Sequence, residues 1–69
     1  MLKIYGKDDC SRCERLKYYL NERKIPYEYI LDKKELMILA SKARIMSAPV
    51  IVLDGNIYSF ESYIELVEG

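Results

Sequence analysis

Two cysteines at the junction of a strand-like and a helix-like segment constrain this chain more than any other feature. Cys10 and Cys13 are its only cysteines, and residues i and i+3 of a helix share a face, so the two sulfur atoms can meet. A C-x-x-C pair at such a junction indicates thiol–disulfide exchange. If Cys10 begins the helix, unpaired backbone N–H groups and the positive end of the helix dipole favour a thiolate, which is the attacking species.

The length and composition limit how this chain can be stabilised. Its 69 residues predict one domain, spanning 1–69, and a chain of this size buries only about 60% of the surface that its unfolded form exposes. Hydrophobic residues make up 51% of the chain, which is enough for a core. Because a C-x-x-C bridge closes a very short loop, it adds little stability. The cysteines are therefore interpreted as a working pair.

Charge and hydropathy exclude several classes of partner. The 11 basic and 11 acidic residues cancel, so nothing indicates a nucleic-acid or acidic-membrane partner. No apolar run approaches the roughly 20 residues of a membrane helix, and the segment 1–5 lacks the features of a signal peptide. We therefore expect a soluble cytoplasmic protein. In that reducing compartment a lone cysteine pair is usually catalytic or metal-bound.

The order of predicted elements defines a fold class. Strand 2–6 is followed by a helix from Cys10 to about residue 24, with Asp9 as its expected N-cap. Asp32 is the expected cap of a second helix, and Asp54-Gly55 predicts a hairpin. The remaining predicted elements are strands 27–31, 50–53 and 56–58 and a helix from about residue 60. The order β-α-β-α-β-β-α predicts the minimal thioredoxin fold, a four-stranded mixed sheet flanked by three helices on both faces.

Three local matches make the chain resemble the glutaredoxin family, within the thioredoxin-like superfamily, over essentially its whole length. The matching segments are Ile4-Tyr5-Gly6-Lys7-Asp8-Asp9-Cys10-Ser11-Arg12-Cys13, Ser47-Ala48-Pro49-Val50-Ile51, and Asp54-Gly55 followed by Phe60-Glu61-Ser62. The family typically has Pro-Tyr where this chain has Ser11-Arg12, and Gly-Gly-Cys-Asp near residues 59–62. The charged lead-in and Phe60 also resemble glutaredoxin-like redoxins that serve ribonucleotide reductase and are reduced by thioredoxin reductase.

The resemblance and the thiol chemistry together assign roles around the motif. Cys10 is the expected nucleophile, and Cys13 is the resolving thiol that releases the reduced substrate. Lys7 and Arg12 are expected to stabilise the thiolate or to bind a carboxylate of glutathione. The alternative for both side chains is an ordinary solvent-exposed cation.

Two further segments are candidate substrate-binding positions. The resemblance implies a cis bond between Ala48 and Pro49, which would leave the Ala48 backbone free to pair with an extended substrate. The N–H groups of Glu61 and Ser62, at the start of the last helix, are candidate ligands of a carboxylate. Ordinary helix capping is the alternative for these two residues.

The leading hypothesis is a monomeric oxidoreductase without a tightly bound cofactor, which reduces protein disulfides or glutathione mixed disulfides. Glutathione is the expected co-substrate, with thioredoxin reductase as the alternative electron donor. The rival from another class is a dimer that pools two cysteine pairs around zinc or an iron–sulfur cluster. One chain offers two thiols and no histidine, whereas structural zinc needs four ligands, so no metal site is expected within one chain.

Overall fold

The computed structural model describes residues 2–69 and confirms the predicted order of elements. The elements are β1 (Lys3–Tyr5), α1 (Ser11–Glu22), β2 (Glu28–Ile30), α2 (Lys33–Ala43), β3 (Val50–Leu53), β4 (Asn56–Tyr58) and α3 (Phe60–Glu68). The first two strands are each two residues shorter than predicted. The bounds of β3 and β4 agree with the prediction.

The four strands form one mixed sheet in the order β2-β1-β3-β4. β1 and β2 run parallel, as expected for strands joined by a helical crossover. β3 is antiparallel to both β1 and β4. Asp54 and Gly55 form the β3–β4 turn with φ values of 50° and 81°. Two consecutive positive φ values are typical of the tight hairpin turns for which Asp-Gly is preferred, so the hairpin prediction is confirmed.

Helices cover both faces of this sheet because side chains of the central strands alternate between the faces. Ile4 lies opposite Ile51 in the β1–β3 ladder, and both belong to the hydrophobic cluster formed with α1 and α3. Tyr5 and Val50, the next pair in the ladder, belong to the cluster formed with α2. The two central strands thus contribute to both halves of the core, one of which contains Cys10 and Cys13.

The two predicted helix caps have different outcomes. Asp32 is confirmed as the cap of α2, because its carboxylate accepts a hydrogen bond from the Glu35 N–H at 3.1 Å. The prediction that Asp9 caps α1 is wrong, since Asp9 has a left-handed backbone with φ 54°. Cys10 has the extended backbone that an N-cap requires, with φ −116° and ψ 105°, and its side chain performs the capping.

We expect the fold to lose stability as the pH rises above about 10. Desolvation raises the pKa of Tyr63, and likewise that of Tyr29, above the ordinary value of 10.0. Between the ordinary and the raised pKa the unfolded chain loses protons that the native chain keeps. The unfolded state then binds fewer protons, so the free energy of unfolding falls with pH. Urea unfolding at several pH values between 8 and 12 measures this slope.

Tyr63→Phe should make that alkaline slope shallower, because the buried phenol no longer titrates. Tyr18→Phe is the matched control, since Tyr18 is exposed on α1 and its hydroxyl bonds only to Glu22 within residues 2–69. Equal slopes for the two variants would contradict the role given to the buried phenol.

Candidate active site

Cys10 and Cys13 are joined as a disulfide at the start of α1. Their Cα atoms lie 5.2 Å apart, within the range of disulfide-bonded pairs. The backbone N–H of Cys13 donates a hydrogen bond to Cys10 Sγ at 3.1 Å. The residue that caps the helix is therefore also the first residue of the redox pair, so the pair can be opened and closed at a helix N-terminus.

The two sulfur atoms differ in what can reach them. Cys13 is fully buried, whereas Cys10 keeps 9% of its surface exposed and lines a cleft. Leu36, Ala48 and Val50 surround the pair with apolar side chains. An incoming thiol or disulfide therefore meets Cys10 first. The N–H of Cys13 and the helix dipole stabilise negative charge on Cys10 Sγ when the disulfide is opened.

A cleft of about 520 Å³ opens beside Cys10 on the side of α1 that faces β2. Lys7 lies in its wall, as does Lys17, which sequence analysis did not select. Lys17 Nζ lies 2.6 Å from the Glu14 carboxylate and 4.3 Å from the centre of the Tyr29 ring. The spacing of Glu14 and Lys17 along the predicted helix was the available signal for this pair. No sequence pattern indicated that Tyr29, on the parallel strand β2, would lie next to Lys17.

The wall of this cleft carries two cations, Lys7 and Lys17, and three carboxylates, Asp8, Asp9 and Glu14. The hydrogen bond that Lys17 donates to the Glu14 carboxylate is the main cause of a raised pKa at Lys17, and desolvation of the ammonium opposes that rise. Lys17 therefore carries its positive charge throughout the neutral range. The pKa of Tyr29 is raised by desolvation, while the charge of Lys17 opposes that rise. The hydroxyl of Tyr29 is therefore a neutral hydrogen-bonding group in this cleft.

On the other side of the cysteine pair, the structure brings Arg12 and Glu61 together. Arg12 Nη1 lies 3.3 Å from Glu61 Oε2 and also donates a hydrogen bond to Ser47 Oγ at 3.3 Å. One guanidinium thus connects α1, the loop before β3 and the start of α3. Sequence analysis selected Arg12 and Glu61 as separate candidates and gave no indication that they pair.

Ala48 and Pro49 directly follow Ser47, one of the two partners of Arg12 in this bridge. The peptide bond between them is cis, as the resemblance implies. Both residues are buried, and Ala48 belongs to the same hydrophobic cluster as Cys10 and Cys13. The loop that carries them therefore contacts the redox pair directly.

A second cavity, of about 430 Å³, lies between this loop and α3. Its wall includes Ser47, Glu61, Ser62 and also Arg44, which sequence analysis did not select. Arg44 is exposed and ends α2 in a left-handed conformation with φ 57°, and no local pattern in the sequence marked it. Within residues 2–69 Arg44 has no salt-bridge partner. It is therefore a cation that an anionic ligand of this cavity can pair with.

The start of α3 is capped by a serine pair. The Ser62 N–H donates to Ser59 Oγ at 3.1 Å, and the Ser59 hydroxyl donates to Ser62 Oγ at 3.0 Å. The amide of Ser62 is thus engaged in capping, the alternative that the sequence left open. The amide of Glu61 has no hydrogen-bond partner among residues 2–69. Of the two amides considered for a carboxylate, the structure leaves that of Glu61 available.

No cluster of three or more cysteine, aspartate or glutamate side chains in residues 2–69 is arranged to hold a metal ion. No helix in the same range combines the length and the apolar content needed to cross a bilayer.

The fold and the cysteine pair together define a thioredoxin-fold redox protein, and comparison with known proteins narrows this class. No family model matches the chain. The chain is 35% identical over 60 residues to an uncharacterized glutaredoxin-like 8.6 kDa protein from the rubredoxin operon of Clostridium pasteurianum. That match covers 83% of this chain and 80% of the relative. This chain belongs to the glutaredoxin-like proteins.

Other similar proteins agree with this assignment. N-acetyl-S-hydroxy-L-cysteine reductase of Bacillus subtilis is 37% identical over 59 residues, which cover 80% of this chain but only 63% of that relative. A glutaredoxin from Archaeoglobus fulgidus superimposes with a TM-score of 0.69 at 26% identity, covering 99% of this chain and 86% of the other. A thioredoxin-like protein superimposes with a TM-score of 0.75, covering 99% and 97%. Since its sequence is only 22% identical, that match shows the fold alone.

Proposed function

We propose that this protein is a dithiol oxidoreductase that reduces protein disulfides and glutathione mixed disulfides, with Cys10 as nucleophile and Cys13 as resolving thiol. The observation that carries the proposal is the position of Cys10 at the N-cap of α1. Its sulfur accepts the N–H of Cys13, lines an open cleft, and lies within bonding range of Cys13. Membership of the glutaredoxin-like proteins supports the same chemistry.

The reaction proceeds through two exchanges. The Cys10 thiolate attacks one sulfur of the substrate disulfide, forming a mixed disulfide and expelling the first substrate thiolate. Cys13, after losing its proton, attacks Cys10 Sγ, so the mixed disulfide breaks and the second substrate thiolate leaves. The substrate has gained two electrons and the protein has become the Cys10–Cys13 disulfide. A thiol donor then reduces the Cys10–Cys13 disulfide back to two thiols.

The loop at Ala48 is the proposed docking position for the substrate backbone. No backbone hydrogen bond outside the strands involves Ala48 within residues 2–69, and Ala48 packs in the cluster that contains both cysteines. An extended substrate segment can therefore pair with the Ala48 backbone while its sulfur lies near Cys10. Docking through backbone groups suits protein disulfides of varied sequence.

Glutathione is the proposed electron donor, bound through its charged ends. Lys7 lines the cleft beside Cys10, and Arg44 lines the cavity next to α3. Together with Arg12 and the open amide of Glu61, these groups offer partners for carboxylates on both sides of the redox pair. The proposed working form is a monomer, because both sulfurs come from one chain. We propose the cytoplasm as its location, where thiol donors keep such pairs reduced.

Thioredoxin reductase is the second candidate donor, and two contacts favour it. Arg12 already pairs with Glu61, and the Ser62 amide is already engaged by Ser59. Both contacts reduce the number of groups that are immediately available to the carboxylates of glutathione. A protein donor needs instead a complementary surface around Cys10.

A small-molecule sulfenate is a further candidate substrate, suggested by the name of the Bacillus subtilis relative. Cys10 would attack the sulfenyl sulfur and release water, and Cys13 would then release the reduced thiol, so electrons balance as in disulfide reduction. Lys7 in the wall of the cleft beside Cys10 offers a cation to a small carboxylate, although Asp8 and Asp9 line the same wall.

The test is turnover with each donor supplied separately. Reduction of a protein disulfide is followed with glutathione plus its reductase, and in parallel with thioredoxin reductase, NADPH consumption being the readout in both. Sustained turnover above the protein-free rate with either donor supports the exchange function and identifies the donor. Failure with both donors, with two titratable thiols present after reduction, would refute the proposal.

A further inference from the structure

Arg12, Ser47 and Glu61 form a bridge, called the clasp below, in which the Arg12 cation is already paired. Arg12 lies between the two cysteines in the sequence, and Ser47 directly precedes the docking residue Ala48. Both partners of Arg12 also line the cavity next to α3. The clasp therefore crosses the path between the redox pair and that cavity.

A single nitrogen of Arg12 serves both contacts. Nη1 lies 3.3 Å from Ser47 Oγ and 3.3 Å from Glu61 Oε2. The positive charge of Arg12 is thus compensated within the chain before any ligand arrives. A substrate carboxylate that approaches Arg12 competes with Glu61 for the guanidinium and is repelled by the charge of Glu61.

We infer that Glu61 is a specificity-determining residue, which competes with the carboxylates of glutathione for Arg12 and so favours neutral or cationic thiols and disulfides. This inference rests on the proposed exchange function and identifies the substrate charge that this site selects against.

The exposure of the clasp indicates that it adjusts affinity and does not block the site. The Arg12 and Glu61 side chains are 50% and 64% exposed, and exposed ion pairs are weak because solvent screens them. A ligand carboxylate can therefore replace that of Glu61 at small cost. We expect selectivity of a few-fold, sensitive to salt, and no complete exclusion of glutathione.

The step affected is reduction of the Cys10–Cys13 disulfide by glutathione. A glutathione thiolate attacks Cys10 Sγ, so a new sulfur–sulfur bond forms while the Cys10–Cys13 bond breaks, and Cys13 leaves as a thiolate that takes a proton from water. A second glutathione thiolate then attacks the bound glutathione sulfur. The products are glutathione disulfide and the reduced pair, with two electrons transferred.

The experiment compares glutathione with the neutral thiol 2-mercaptoethanol as reductants of the oxidised protein. The measured quantity is the ratio of their second-order rate constants. Each reaction is quenched at intervals with an alkylating reagent, and the reduced protein is quantified by mass spectrometry. Glu61→Gln should raise this ratio about two- to five-fold, the range set by exposed ion pairs. The gain should shrink at high salt.

Two further variants separate competition for Arg12 from other causes. Glu65→Gln, one turn further along α3, removes the same charge from a residue without a salt-bridge partner within residues 2–69, and should leave the ratio unchanged. Arg12→Gln should lower the ratio, and adding Glu61→Gln to it should give a smaller gain than Glu61→Gln gives in the unaltered protein.

An unchanged ratio in Glu61→Gln, or an equal gain in the Arg12→Gln background, would overturn the inference. Those results would still leave the exchange function standing, because both reductants would still open the disulfide. Failure of both reductants with the unaltered protein would instead count against the proposed function itself.

Discussion

Replacing Cys10 with serine is expected to abolish every exchange activity of this protein. Serine keeps an oxygen that can accept the Cys13 N–H, so α1 retains its cap, but the hydroxyl cannot form the mixed disulfide. Turnover should fall to the protein-free rate with protein disulfides and with glutathione mixed disulfides alike. The measurement is donor-coupled NADPH consumption on both substrate types.

Cys13→Ser is the matched control, because it makes the same change three residues away. Cys13 is buried behind Cys10, so its thiol is needed only to resolve the mixed disulfide within the chain. This variant should lose reduction of protein disulfides. It should keep the reduction of glutathione mixed disulfides, because a second glutathione molecule can resolve the intermediate between Cys10 and glutathione. Full activity in Cys10→Ser, or equal loss of both activities in the two variants, would contradict the assigned roles.

Much of this fold could be predicted because local rules and packing agree. Asp54-Gly55 supports two positive φ values, and the apolar run of β3 suits a strand covered on both faces. The cap of α1 was misplaced because Asp is a preferred N-cap residue and Cys is not. The turn before the helix gives Asp9 a positive φ. Which residue caps α1 therefore depends on the path of the chain after β1.

The candidate site was only partly visible in the sequence. The cysteine pair was visible because i,i+3 spacing acts within one helix. The pairing of Arg12 with Glu61 depends on how α3 docks beside α1, and no local pattern encodes that docking. The same holds for Tyr29 beneath Lys17, where a neighbouring strand completes the cleft. Contacts between elements distant in the sequence therefore account for what was missed.

Leu16→Ala is expected to cause a large loss of stability. Leu16 is fully buried between α1 and the sheet, where it shares a cluster with Ile4 and Ile51. Removing such a side chain leaves a cavity that costs about 2–5 kcal/mol. Since domains are stabilised by about 0.05–0.15 kcal/mol per residue, this loss is a large part of the total. Urea unfolding of the oxidised protein measures it.

Leu66→Ala provides the control for that substitution, because Leu66 is 52% exposed on α3 and loses the same atoms. Its cost should stay within about 0.5 kcal/mol, as for most surface changes. Leu16 lies one turn after Cys13 on the same buried stripe, so its loss should also loosen the helix that positions the redox pair. A Leu16→Ala variant no less stable than Leu66→Ala would mean that the packing of α1 on the sheet does not hold the helix start in place.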